Sequence, residues 1–223
     1  MKGQNIRELE LKEKEREEQR KSKEEKKEKP RAEAGAKKWK GKDWFIIFSP
    51  RMFGEKVIGE TPATNPKTLI GRNIEVGISD LSDQQRRDFY RIVLMIERID
   101  SRAAYTRFNG YRALKEHVLG MVRKRAQKVE SVIYVKTMDD WKLQVSSVGI
   151  LNRNTETAVK KKARAFMEKA MRESAEKSGI DDFVKSIISS NLQRGIKKSG
   201  SRIYPIRFFE VARIEVKGVP QGK

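Results

Sequence analysis

Asp139 and Asp140 stand side by side, with Glu130 and Lys136 a few residues upstream. Carboxylates at this spacing form the loose pattern of a divalent-metal nuclease, in which bound metal would activate water against a phosphodiester. A tight turn selects the same pair, because Asp tolerates left-handed backbone and hydrogen-bonds its own main chain. Ser131, Ile133 and Val135 alternate before the pair, and Trp141, Leu143 and Val145 alternate after it. That is a hairpin pattern, so the turn is the preferred reading. Asp181-Asp182 and the Asp80–Asp83 stretch read as helix caps. His117, the single histidine, lies beside Glu116 on an expected helix, in a packing or surface role, and one histidine cannot make a histidine metal cluster. The absence of cysteine excludes disulfides, thiolate zinc and a cysteine nucleophile. Ser146-Ser147 and Ser189-Ser190 have no base nearby in sequence, and neither glycine-rich phosphate loop occurs. These residues point away from an enzyme, with no metal, cofactor or small-molecule substrate expected.

The cations say more. Arg123-Lys124-Arg125, Lys160-Lys161-Lys162 with Arg164, Arg194 with Lys197-Lys198, and Arg202 form blocks that neighbouring acids do not fully neutralise. Any one such block could be a solvated helix face. Four in one chain suit phosphate contacts, which give affinity by counterion release without reading sequence. Arg51, Arg72, Arg107 and Arg112, in strand-like surroundings, are the next candidates. RNP-type aromatic motifs, KH-type GxxG loops and zinc knuckles are missing, but shape-driven RNA binding needs none of them.

The chain has 51 Lys and Arg against 31 Asp and Glu, a net charge of +20. Self-repulsion on that scale strains a compact state unless a polyanion screens it. No apolar run approaches the roughly 20 residues that span a bilayer, so a membrane is the weakest candidate. Met1–Lys40 lacks the apolar core of a signal peptide, which places the expected compartment in the cytoplasm.

These clusters need elements to position them. Met1–Lys40 holds 15 basic and 10 acidic residues and few large apolar ones, so alone it should be disordered or a frayed helix. Glu→Lys pairs such as Glu8–Lys12 and Glu17–Lys21 favour a helix ended by Pro30. Up to Pro30, a solvated charged helix and a basic arm that orders on RNA stand level; RNA contact is favoured for Lys37, Lys38, Lys40 and Lys42. Trp44–Phe48 then reads as a buried strand, Val57-Ile58 as a run cut by Gly59 and Pro62, and Asn73–Ser79 as an alternating strand. Phe89–Ile99 reads as strand, and Tyr105–Tyr111 as extended, with a turn at Asn109-Gly110. Ala113–Lys128 is an expected helix, followed by the hairpin around Asp139-Asp140. Thr155–Lys177 is a long amphipathic helix with Val159, Ala163, Phe166, Met167, Ala170 and Met171 on its apolar side, C-capped by Gly179. Asp181 is expected to cap a further helix, and Ile203–Val216 returns to strand. Trp44 and Trp141 are expected core anchors. Antiparallel strands with helices set to one side make an α+β fold.

Several of these stretches together resemble the archaeal and eukaryotic small-subunit ribosomal proteins of the S3Ae family (the eukaryotic-type S-one). The resemblance rests on Lys42-Asp43-Trp44, Ser49-Pro50 with Met52-Phe53, Gly59–Thr61, Gly71-Arg72, Glu75-Val76 and Asp80-Leu81. It continues through Thr106–Gly110, Val132–Thr137 with Asp139, and Ile203-Tyr204-Pro205, covering nearly all of Lys42–Val216. Asp139-Asp140 stands where that family has Asp-Gly, and Asn109-Gly110 where it often has His-Gly. The resemblance implies an α+β domain with a barrel-like antiparallel sheet and flanking helices, sitting on the small-subunit platform near the mRNA exit. It implies contacts with small-subunit rRNA, including the region of its 3′ end, and with neighbouring ribosomal proteins. mRNA near the exit is a further candidate contact, and no catalytic centre is implied. On this footing residues 1–40 form a charged extension, 41–217 the rRNA-binding domain and 218–223 a short tail. The competing expectations are a metal-dependent nuclease using Glu130, Asp139 and Asp140, and a free RNA or DNA chaperone.

Overall fold

The computed structural model describes residues 41–81, 89–202 and 204–220. Its contacts divide the chain into residues 1–43 with 62–65 and residues 44–61 with 66–223; the second unit carries the core. Expectations placed on residues 1–40, among them Lys37, Lys38 and Lys40, and on Asp83 lie outside the described residues.

Among the described residues eight strands run in chain order: β1 (Asp43–Phe48), β2 (Val57–Ala63), β3 (Asn73–Gly77), β4 (Tyr90–Asp100), β5 (Ala103–Ala113), β6 (Gln127–Lys136), β7 (Lys142–Leu151) and β8 (Ile206–Gly218). Helices α1 (Ile78–Leu81) and α2 (Lys115–Gly120) are short, while α3 (Thr157–Glu176), α4 (Ile180–Ile188) and α5 (Asn191–Gly200) fill the segment between β7 and β8. The α+β class therefore holds. The barrel-like, wholly antiparallel sheet does not. The sheet is open, in the order β2-β1-β5-β8-β7-β6, with β3 on β4 and β4 on β5.

The reason lies in β5. One of its edges is taken by β4, in antiparallel register from Tyr90↔Ala113 to Asp100↔Ala103. The other edge is divided: Ala103–Tyr105 pair with β1 in parallel, and Gly110–Arg112 pair with β8 in antiparallel. Two register shifts in the β4–β5 ladder, at Val93/Leu94 and Ile96/Arg98, mark bulges, which raise local twist and let one strand serve two partners. The expected turn at Asn109-Gly110 is the first of these: β5 continues through it, with Asn109 as the extra residue. Glycine is needed there because a Cβ on Gly110 would lie 2.6 Å from the Ile214 carbonyl oxygen of β8.

Burial alternates along the strands, in β4 too, where the dense apolar run hid it in the sequence. Tyr90, Ile92, Leu94 and Ile96 of β4 are buried, as are Ile133 and Val135 of β6 and Leu143 and Val145 of β7. Helix α3 turns Ala163, Met167, Met171 and Ala175 inward and α4 turns Phe183, Val184 and Ile187 inward, all in one core cluster with the sheet. Helix α5 is tied down by Gln193, whose Nε2 donates to the Ile187 carbonyl at 3.0 Å and to Glu210 Oε1 of β8 at 3.3 Å.

Four further expectations are corrected. Trp44 is 53% exposed, because β1 buries Phe45 and Ile47 on the opposite face; Trp141 is half-buried at the core's edge. Val57-Ile58 is no isolated run but part of β2, which continues through Gly59 as proline and glycine can when a strand lies at a sheet edge. The helix expected over Ala113–Lys128 shrinks to six residues, since Ala113 ends β5, Leu114 offers no side-chain cap, and Gln127 already starts β6. Gly179 does not close α3 but opens α4 as its N-cap, so Asp181 stands in the first turn rather than at the cap.

Candidate nucleic-acid interface

Each carboxylate of the would-be nuclease cluster is engaged elsewhere. Asp139 Oδ2 accepts the N–H of Ile180 at 2.9 Å, Asp140 pairs with Lys136 at 2.7 Å, and Glu130 pairs with Lys128. Asp140 adopts φ 63, the left-handed conformation expected of a turn Asp. Among the described residues no three His, Cys, Asp or Glu side chains gather as a metal site. Among them, too, no helix is long and apolar enough to cross a membrane.

The candidate cations divide into two populations. Arg107 and Arg112 on β5, Arg51 in the helical turn after β1 and Arg72 just before β3 all have partners. Arg51 pairs with Glu55 at 3.3 Å, Arg107 with Glu97 at 3.7 Å and Arg112 with Glu75 at 3.2 Å, while Arg72 donates to Thr61 Oγ1 at 2.7 Å. Arg194 is committed as well: its guanidinium donates to the carbonyls of Ser189 and Ser190 and to Asn191 Oδ1, closing the α4–α5 corner where Ser190 has φ 56. Lys42 is half-buried at the start of β1.

The others have no carboxylate partner among the described residues. Arg123, Lys124 and Arg125 sit not on a helix but in the exposed turn leading into β6, where Arg125 has φ 67. Lys161, Lys162 and Arg164 are exposed on the first turns of α3, opposite buried Ala163 and Met167, with Lys160 half-buried beside them. Lys197 and Lys198 are exposed on the last turn of α5, and Arg202 just after it. The α3 cluster is locally unfavourable. The helix has no acid in its first turn, and its N-terminal partial positive charge repels cations placed nearby.

The structure brings two of these blocks together. Arg123 lines a cleft of about 410 Å³ with Phe89, Glu116, His117, Gly120, Met121 and Phe208. Lys197 Nζ and Arg207 Cζ each lie 5.5 Å from the centroid of the Phe208 ring. Arg207 was not among the sequence candidates. It is the extra residue of a bulge, since Ile150 pairs with Phe208 and Leu151 with Ile206. A bulge cannot be read from residue types, although an Arg-Phe step in a basic strand was the available signal. Within the cleft, the His117 ring stacks on Phe89 at 4.8 Å and 14°, and its Nε2 lies 3.1 Å from the Tyr90 hydroxyl. Burial lowers the His117 pKa from its ordinary 6.5.

An α+β body whose Arg123–Arg125, Lys161-Lys162, Arg164, Lys197-Lys198 and Arg202 face solvent without a carboxylate partner among the described residues has a surface suited to a polyanion. Its sequence shows the family. Residues 31–220 match the model of the Ribosomal S3Ae family, and the chain belongs to that family. Among its relatives are proteins named small ribosomal subunit protein eS1. That of Methanopyrus kandleri is 32% identical over 83% of this chain and 90% of its own length. Those of Aeropyrum pernix and Archaeoglobus fulgidus are each 30% identical over 82% of this chain, covering 87% and 88% of the relatives.

Proposed function

We propose that this chain is a structural constituent of the small ribosomal subunit that binds rRNA through phosphate contacts and performs no catalysis. Family membership supports the assembly, and the split between committed and uncommitted cations supports the mode of binding. The Lys and Arg of Arg123–Arg125, Lys160–Arg164, Lys197-Lys198 and Arg202, with no carboxylate partner among the described residues, are placed to replace counterions along a phosphate backbone. The α3 cluster carries this reading furthest, because cations near a helix N-terminus oppose the dipole and have no evident role in folding.

The finer reading places the body, residues 41–217, on the subunit platform near the mRNA exit, against the 3′ region of the rRNA and neighbouring ribosomal proteins. Residues 1–40, with Lys37, Lys38 and Lys40, supply a basic arm toward RNA, and mRNA is a further contact of that arm. The protein is cytoplasmic because its particle is. The test is sedimentation of a lysate carrying the tagged chain through a high-salt cushion. A subunit constituent stays with the small subunit, whereas a free RNA or DNA chaperone is left in the supernatant.

A further inference from the structure

The cleft between α2 and β8 is built unlike the rest of the cationic surface. Phe89 is 48% exposed and Phe208 37%, and both line this cleft, so large apolar side chains are left facing solvent at one place. Cations surround them: Arg123 lines the cleft, and Lys197 and Arg207 flank the Phe208 ring. An apolar protein segment laid here would strip water from those cations and offer them nothing. A phosphate alone would leave the aromatic floor unused. A nucleotide supplies both a flat π-face and an anion, and aromatic floors ringed by cations are how single-stranded nucleic acid is held. The cleft lies within the roughly 300–1,000 Å³ of small-ligand sites.

We propose that this cleft is a nucleobase-binding site that takes one unstacked base of single-stranded RNA against Phe89, His117 and Phe208, with Arg123, Lys197 and Arg207 on the adjoining phosphates. Glu116, the acid lining the cleft, is an acceptor for an exocyclic amine of the base. The site rests on the RNA-binding reading above but adds what that reading lacks, a contact that distinguishes base from backbone. Stacking tolerates any base, so the preference is for an unpaired nucleotide rather than for a sequence.

The experiment uses the full chain and two synthetic 12-nucleotide RNAs of equal charge. One is oligoadenylate with a single 2-aminopurine; the other has abasic sites throughout. The wild type should quench 2-aminopurine and bind the base-bearing RNA about fivefold or more tighter than the abasic one. Phe208→Ala should remove most of that ratio while leaving abasic binding nearly unchanged. Should Phe208→Ala disturb folding, Gly120→Trp decides, because a Cβ at Gly120 meets no atom within 4 Å and the indole would fill the cleft from its rim. Equal binding of both RNAs, without quenching, overturns the base site and leaves phosphate binding standing. Binding of neither overturns the RNA-binding reading and the site with it. A base preference that survives both variants places stacking elsewhere. Loss of subunit incorporation by Gly120→Trp with an unchanged base preference would make the cleft a protein contact and also overturn the proposal.

Discussion

The carboxylate of Asp139, at the tip of the β6–β7 hairpin, accepts the backbone N–H of Ile180 at 2.9 Å, 41 residues along the chain. The first turn of α4 has no side-chain cap of its own, and this borrowed one also places negative charge at the positive end of the helix. Gly179 makes room for it, since a Cβ there would run into the Asp139 carboxylate. Asp139→Ala should lower unfolding free energy by about 0.5–2 kcal/mol, and Asp139→Asn by less, because Asn also caps well. Chemical denaturation of the two variants measures this. An Asp139→Ala protein as stable as wild type would remove the cap from the account of α4.

Core leucine and surface tryptophan separate cleanly in the same kind of measurement. Leu94 is fully buried in β4, and Leu94→Ala should cost about 2–5 kcal/mol. Trp44, 53% exposed on the outer face of β1, should cost well under that on truncation to Ala. A Trp44→Ala loss as large as that of Leu94→Ala would mean that the indole is buried in the free protein.

Where periodicity was strict, as in the hairpin and α3, the fold was legible, and the strand reading of the dense apolar run Phe89–Ile99, which fits neither period, also holds as β4. The misreadings share a cause. Trp44 and Gly179 are residues whose type announces one role, core anchor or C-cap, while the phase of β1 in the first case and the distant Asp139 in the second assign another. Asn109-Gly110 carries the composition of a turn, but the crowding that demands glycine comes from β8. The site shows the same limit. Basic blocks were visible as blocks, but the partners of Arg51, Arg72, Arg107 and Arg112, namely Glu55, Thr61, Glu97 and Glu75, emerge only from the fold. Arg123 and Lys197 meet at Phe208 through the topology alone.

The two cation populations should differ in a salt titration against a platform rRNA fragment. Replacing Lys160, Lys161 and Lys162 by Ala should flatten the slope of log K against log salt by up to about 2–3 units. The order of preference among rRNA fragments should not change, because phosphate contacts position without specifying. Arg51→Ala and Arg112→Ala should leave the slope close to wild type, their charges being partnered already by Glu55 and Glu75. The reverse outcome would move the RNA surface to the strands.

Stability and binding should move in opposite directions at Lys161. It is exposed on the second turn of α3, where a Glu stands three residues before Arg164 and pairs with it for roughly 0.2–0.5 kcal/mol. Lys161→Glu should therefore leave the melting temperature of the free protein unchanged or slightly higher while weakening RNA binding. A variant that melts lower and binds RNA normally would make Lys161 a structural residue.

His117 gives the fold a pH dependence whose sign follows from its surroundings. Burial lowers its pKa from 6.5, with the ring stacked on Phe89 and Nε2 against the Tyr90 hydroxyl. The charged groups lining the same cleft are Glu116 and Arg123. Between the lowered folded value and 6.5 the unfolded chain binds more protons than the folded one, so this group's contribution erodes as pH falls below about 6.5. Above that value both states hold neutral imidazole and the contribution is complete. His117→Gln should shrink the difference in stability between pH 8 and pH 5.5, on top of a loss at both pH values from the ring contacts with Phe89 and Tyr90. Imidazole resonances followed by NMR across that range provide the direct check. A midpoint above 6.5 would mean that the Glu116 carboxylate, rather than burial, governs the ring.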